Sequence, residues 1–543
     1  MSEPVTAEPA GGSRWRDRFG LIVLAALAYL PALASSPGRM PADTKLYLYL
    51  DPGGLVSRST STFEAEQFAG WVPHQQITYL WPSGPWFWLF DTVGVPDWIA
   101  HRLWIGTILF TAGAGARWAA RQLGIGPVAA LAGAALYQCS PYLLAYVSRT
   151  SLLLLPWAGL GWIVGLTIRA TARSRAARPQ PGIAEPTTRA VTDLDESSDD
   201  EPDGETEDDV ERPDVPEPTA GPSWRNRLAP WREPALIALI VATVGNGNAT
   251  ALALIIPGPV LWLLHLAAAG GIRWRSAVAI ALRTGAACLV VSAWWVGMLV
   301  VQSRVGAPVL AYSETLRDVS RNSTGSEVLR GLGYWLFYQR DVAGPTTSAS
   351  FDFLVSGRSI ALSYLVALVG LVGLVVVRWS HRRFAALLVA VGALLAVGVH
   401  PIDGPSPLAS LVVGDEESTL AVALRSSTRA TPLLVLGLAL GTAALVAALP
   451  GRVRGLGAGI GWRPIAAGAA VVLVAINLPS LWRAELVDPA IDRDAAPPAV
   501  LITPSTPSTE NNSTGAIAAP TNGSPISISS SVAMSPRLTI GSP

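Results

Sequence analysis

The chain has 543 residues, of which 50% are hydrophobic and only 14% charged; its formal net charge is zero and its mean hydropathy is +0.39. Soluble domains carry roughly a quarter charged residues, so a soluble globular enzyme is excluded, and with no net positive charge no nucleic-acid partner is expected. The two cysteines, Cys139 and Cys288, lie in separate apolar segments and predict neither a disulfide nor a metal site.

Residues 1–18 are a polar tail with Arg14, Arg16 and Arg18 just before the apolar stretch Phe19–Ser35. A signal peptide has this charge order too. The stretch is longer than an h-region and lacks a convincing small-x-small site, so it reads as a first transmembrane helix with a cytoplasmic N-terminus. Residues 36–97 then form a polar outer loop holding His74, Gln75, Tyr79, Trp71, Trp81, Trp86 and Trp88. Such aromatic residues suit a membrane-interface belt, and sugar stacking is the functional alternative.

Helices are predicted at Trp98–Ala116, Val128–Val147 and Ser151–Thr167, completing a first membrane part over residues 19–177. Residues 178–230, rich in Pro, Asp, Glu, Ser and Thr, have too little apolar surface to offset ordering entropy and predict a disordered, acidic cytoplasmic linker. The second membrane part, 231–490, resumes with Ala235–Val244 and Ala251–Leu266, which meet at the Gly/Asn break Gly245–Thr250. Ala277–Val301, Ile360–Val377, Phe384–Val399, Pro432–Leu449 and Ile465–Leu481 follow, and residues 491–543 predict a disordered Ser/Thr/Pro-rich tail. The fold class is therefore all-α integral membrane, a polytopic bundle of about 11 transmembrane helices. Arginines gather at alternate connections (Arg117 and Arg121; Arg169, Arg173 and Arg175; Arg273, Arg275 and Arg283; Arg382 and Arg383), the positive-inside pattern, which leaves the C-terminus outside the plasma membrane.

No P-loop, GxSxG, HExxH or paired CxxC stands in a supporting context, and the five histidines lack ligand spacing. No metal site is predicted, and a divalent-cation requirement is left open. What remains is carboxylates and arginines in the outer loops. A membrane enzyme with a lipid-phosphate sugar donor needs this set: one carboxylate to deprotonate the acceptor hydroxyl, and cations to hold the departing phosphate. Arginine suits the second task through its bidentate fork. Asp43, in Pro41-Ala-Asp-Thr-Lys-Leu-Tyr-Leu-Tyr-Leu-Asp-Pro52 just after helix one, stands where such a base belongs; an ordinary solvated loop aspartate is the other reading.

Six blocks carry a family resemblance: Asp43-Thr-Lys-Leu-Tyr-Leu-Tyr-Leu-Asp-Pro, His74-Gln-Gln-Ile-Thr-Tyr-Leu-Trp-Pro, Val95-Pro-Asp-Trp-Ile-Ala-His-Arg-Leu-Trp, Leu155-Pro-Trp-Ala, Glu327-Val-Leu-Arg-Gly-Leu-Gly-Tyr-Trp and Leu424-Arg-Ser-Ser-Thr-Arg-Ala-Thr-Pro. Together they resemble the actinobacterial α-(1→3)-arabinofuranosyltransferases of the AftD type, membrane glycosyltransferases of GT-C architecture. The resemblance implies an extracytoplasmic catalytic loop after helix one, with Asp43 as general base. It also implies an inverting transfer of arabinofuranose from decaprenyl-phosphate arabinose to cell-envelope arabinan. Arg102, Arg330, Arg425 and Arg429, with Lys45, become candidates for the donor phosphate; His74, Gln75, Tyr79, Trp81, Tyr334 and Trp335 become candidates for sugar or acceptor contacts. Beyond the lipid-linked donor and the membrane lipid, no cofactor is implied. The family continues into a large extracytoplasmic region not matched here, so the resemblance implies the N-terminal membrane half, and whether that half acts alone is left open. A polyprenyl-phosphate-mannose-dependent mannosyltransferase and a non-catalytic lipid transporter or envelope scaffold are the alternatives. A transporter predicts ionisable residues inside its helices, whereas here polar residues collect in the outer loops.

Overall fold

The computed structural model describes residues 10–41, 47–65, 70, 72, 80–176, 228–306, 314–341, 344–345, 347–404, 425–450, 461–487 and 493–494. Asp43, Lys45, His74, Gln75 and Tyr79 lie outside the described residues, as do nearly all of the expected acidic linker and tail. Eleven predicted segments are all helical among the described residues: α1 (Ala10–Ala34), α2 (Asp97–Gln122), α3 (Pro127–Gln138), α4 (Leu155–Ala176), α5 (Arg232–Val244), the paired α6 (Ala249–Ile255) and α7 (Pro257–Ala268), α8 (Trp274–Val305), α9 (Gly357–Val376), α10 (Arg382–Val397), α11 (Thr431–Ala448) and α12 (Trp462–Asn477).

Seven of these segments are long and apolar enough to cross a membrane: Asp17–Ala34, Pro127–Ala145, Ser151–Ala176, Ala249–Ala268, Trp274–Val305, Gly357–Val376 and Ser427–Ala448. The remaining four do not carry the expected eleven spans by length and composition. Helix α5 has 13 residues and α10 and α12 have 16 each, while α2, at 26 residues, is interrupted by Arg102, Arg117 and Arg121.

Helix α11 sits at the centre of the bundle. Its apolar residues run all the way round, and a helix without a polar face must be surrounded by other helices. It packs on α3, α9 and α10. With lipid as the competing solvent, close backbone approach rather than apolar burial drives such packing, so small residues mark the seams. A Cβ added to Gly437 would lie 2.7 Å from the Ala385 carbonyl oxygen of α10, and one added to Gly370 would lie 2.8 Å from the Leu438 carbonyl oxygen. Helix α4 is similarly enclosed by α2 and α5. By contrast, α8 exposes Leu282, Leu289 and Val290, the pattern of a lipid-facing helix.

The two kinds of connection lie at opposite ends of the bundle. At one end, Arg117 of α2 pairs with Asp17 of α1 at 2.6 Å, and Arg169 of α4 pairs with Glu233 of α5 at 3.2 Å. The other end gathers the C-terminus of α1, the start of α2, the turn after α3 and the start of α11. This end carries every described candidate from the sequence.

Candidate active site

The described part of the first outer loop is folded down onto α2. Asp51 caps the short helix Pro52–Arg58 by accepting the Gly54 N–H at 2.8 Å, and Arg58 pairs with the buried Glu64 at 3.4 Å. Tyr49 stands edge-on to Phe87 with ring centroids 5.0 Å apart. The loop's described tryptophans divide into two kinds. Trp86 donates from its ring nitrogen to the Ala100 carbonyl, whereas Trp81 and Trp88 are exposed.

Arg102 is fully buried, and its guanidinium faces the chain leaving α1. Nε donates to the Ser35 carbonyl at 3.0 Å, and Nη2 to the Ser36 and Arg39 carbonyls at 3.3 and 2.9 Å; Nη1 meets His101 Nδ1 at 2.8 Å. Arg330 is likewise enclosed. It donates to Ser363 Oγ, Glu327 Oε1 and the Phe353 carbonyl, each at 2.7 Å, and lies over the Tyr364 ring. Neither fork turns these donors toward a ligand: Arg102 holds the stem of the first outer loop, and Arg330 locks the helices Gly325–Leu329 and Ser348–Val355 onto α9.

Arg425 and Arg429 behave differently. Arg425 precedes the one-turn helix Ser427–Ala430 that leads into α11, and Arg429 lies within it. Arg425 Nε lies 3.7 Å from Glu314 Oε1, an ion-pair distance too long for a hydrogen bond, and Arg429 Nη1 donates to Asn248 Oδ1 at 3.1 Å. The Nε groups of both arginines and the hydroxyls of Tyr146 and Thr428 are shielded from solvent without a hydrogen-bond partner among the described residues. The Tyr146 hydroxyl lies against the Arg429 guanidinium and the Thr428 hydroxyl, with no well-formed hydrogen bond to either. Tyr146 and Tyr334 pack with centroids 5.0 Å apart, and Trp335 lies next to Tyr334. Burial raises the phenol pKa of both tyrosines, so each keeps its proton at neutral pH. Each unmet buried donor costs about 1–3 kcal/mol, so the cluster of Tyr146, Thr428 and Arg429, with Arg425 three residues before Thr428, marks a place shaped for a ligand. The chemistry of the set, two guanidinium groups with hydroxyl donors, suits an oxyanion.

Asn248 is the residue that sequence reasoning passed over. Its Oδ1 caps α6 by accepting the Ala251 N–H at 2.7 Å and orients Arg429 with the same oxygen. Neighbouring Asn246 donates to the Trp81 carbonyl, so the Gly/Asn break is pinned between the first outer loop and the arginine pair. The signal was the break itself, two asparagines between apolar runs at the outer end. Among the described residues, no group of three or more His, Cys, Asp or Glu side chains is placed to hold a metal ion.

The sequence profile described as "α-(1→3)-arabinofuranosyltransferase, N-terminal GT-C domain" matches residues 27–491. The chain belongs to this family. It is 27% identical over 442 residues to the α-(1→3)-arabinofuranosyltransferase of Mycobacterium tuberculosis, covering 80% of this chain and 27% of that one. The Mycolicibacterium smegmatis protein of the same name is 26% identical over 436 residues, 79% of this chain and 26% of that one. Thus the chain spans about a quarter of the length of these relatives. The cryo-EM structure of the arabinofuranosyltransferase AftD from mycobacteria shares the fold, with a TM-score of 0.58 at 22% identity over 91% of this chain and 28% of that one. As an AftD-type GT-C domain, the chain is a multi-pass membrane protein of a glycosyltransferase family.

Proposed function

We propose that this domain transfers arabinofuranose from decaprenyl-phosphate arabinose to cell-envelope arabinan at the extracytoplasmic face of the membrane, with inversion. The observation that carries the reading is the pair Arg425 and Arg429, with buried donors unmet, at the bundle end where the loop bearing Asp43 leaves α1. In a single displacement, Asp43 takes the proton from the acceptor hydroxyl as its oxygen attacks the anomeric carbon. The bond to the phosphate oxygen breaks on the opposite face. The leaving group departs as an anion and needs no general acid; the two guanidinium groups, with the hydroxyls of Tyr146 and Thr428, stabilise the charge it gains. One carboxylate suffices, unlike the pair a retaining glycosidase uses. Trp81, Tyr334 and Trp335 remain the described aromatic surfaces for sugar, with His74, Gln75 and Tyr79 proposed beside them and Lys45 as a further cation for the phosphate.

The test is transfer of labelled arabinose from decaprenyl-phosphate arabinose to a short arabinan in membranes bearing the full chain or its Asp43→Asn variant. Loss of the base lowers the rate roughly a hundredfold or more. Equal rates in the two would remove Asp43 from that role.

A further inference from the structure

Only two non-glycine residues take left-handed backbone angles among the described residues, Ser36 at φ +42° and Ala484 at φ +56°. They lie in the same knot. Ser35, fully buried, donates from its hydroxyl to the Ala484 carbonyl at 3.1 Å, with the Val487 carbonyl at 3.4 Å, and accepts the Val487 N–H at 2.8 Å. Four residues on, Arg39–Met40 pair antiparallel with Arg493–Asp494. From the other side, Arg102 holds the carbonyls of Ser35, Ser36 and Arg39. Left-handed non-glycine backbone persists only where its surroundings over-determine it, and such residues cluster where function needs a fixed geometry.

The same short segment reaches the arginine site. Ser148, in the turn that carries Tyr146, donates to the Leu486 carbonyl at 3.4 Å, and Arg483 pairs with Asp352 at 2.6 Å in the helix whose Phe353 carbonyl holds Arg330. Leu486 and Val487 are fully buried between these attachments. We propose that residues 483–487 act as a brace between the two halves of the active site. It fixes the stem 35–40 of the loop bearing Asp43 against the turn bearing Tyr146, and Arg102 is its positioning residue on the stem. This rests on the transferase reading above for its catalytic consequence, but not for its structural content.

The brace sets where the base stands relative to the bound donor, so loosening it lowers kcat and leaves the donor KM within about twofold. Four full-length variants in nanodiscs test it by hydrogen exchange over peptides covering 35–41 and 480–487, alongside transfer kinetics. Ala484→Val cannot adopt φ +56° comfortably, while Ala484→Gly can. Arg102→Met removes all the donors, and Arg102→Lys keeps one cation. The expected result is exchange at least about tenfold faster in both peptides for Ala484→Val and Arg102→Met, with kcat down by a similar factor. Arg102→Lys falls between Arg102→Met and wild type, and Ala484→Gly keeps wild-type exchange. Unchanged exchange in folded Ala484→Val and Arg102→Met overturns the brace, as does equal loosening throughout the bundle. If the wild-type chain transfers no sugar, the transferase reading fails while the exchange data still decide the brace. If exchange responds as expected in an active chain but kcat does not, the positioning role is overturned.

Discussion

Replacing Asn248 by alanine and by aspartate separates two tasks that one oxygen performs. In the native chain Oδ1 caps α6 through the Ala251 N–H at 2.7 Å and holds Arg429 Nη1 at 3.1 Å. Asn248→Ala removes both, and loss of the cap lowers stability by about 1 kcal/mol. Asn248→Asp keeps the cap, because a carboxylate oxygen accepts the same N–H and suits a helix N-terminus. It also places a negative charge against the guanidinium that the donor phosphate would engage. At the 3.1 Å separation and an effective dielectric of about 20, the Coulomb attraction is roughly 5 kcal/mol before desolvation and screening are charged against it. A charge-assisted hydrogen bond nets about 1.5–3 kcal/mol, so the phosphate loses roughly ten- to a hundredfold in kcat/KM. The aspartate variant is therefore expected to melt like wild type in detergent and yet transfer sugar poorly, with the loss expressed against donor rather than acceptor concentration. If Asn248→Asp transfers as fast as wild type, Arg429 does not hold the phosphate.

Two further expectations address the fold and its pH dependence. Gly437→Val in α11 drives a branched side chain into the Ala385 carbonyl 2.7 Å from the first added carbon, and is expected to cost about 3 kcal/mol or more and abolish recovery of folded protein from membranes. Asp97, at the first turn of α2, has its carboxyl pKa raised from 3.8 to about 6 by burial and by nearby Asp91. The folded state thus binds more protons than the unfolded one between pH 4 and 6, so the group's contribution is fully present below about pH 4 and is lost as pH rises through 6. Asp97→Asn should therefore melt higher than wild type at pH 7.5, by about 1 kcal/mol after allowing for partial exposure, with the gain vanishing at pH 4. A gain of equal size at both pH values would refute this origin.

The helical segments were legible because each is written locally. A run of apolar residues bounded by polar turns needs no distant partner to be helical in lipid, where every backbone group must be satisfied within the segment. The Gly245–Thr250 break was legible for the same reason, since asparagine favours a cap over a helix interior. The count of spans was less so. Helices α5, α10 and α12 are short, and length alone does not say whether a helix crosses or lies enclosed by others.

The site divides along the same line. From sequence, Arg102, Arg330, Arg425 and Arg429 are alike: arginines in family blocks near outer loops. Tertiary structure alone separates them, because what a guanidinium can bind depends on which acceptors already occupy its fork. The three carbonyls that hold Arg102 lie 63 to 67 residues away in the chain, and the phenylalanine carbonyl that holds Arg330 lies 23 away. The Ser35–Val487 contact spans 452 residues, a distance across which no local pattern carries information. The sequence by itself determined that this is a helical membrane protein with its polar chemistry gathered at one end, because partition into lipid depends on composition segment by segment. Which cations keep their donors and what holds the loop stem were decided only when packing brought remote segments together, because hydrogen-bond partners are assigned by the fold.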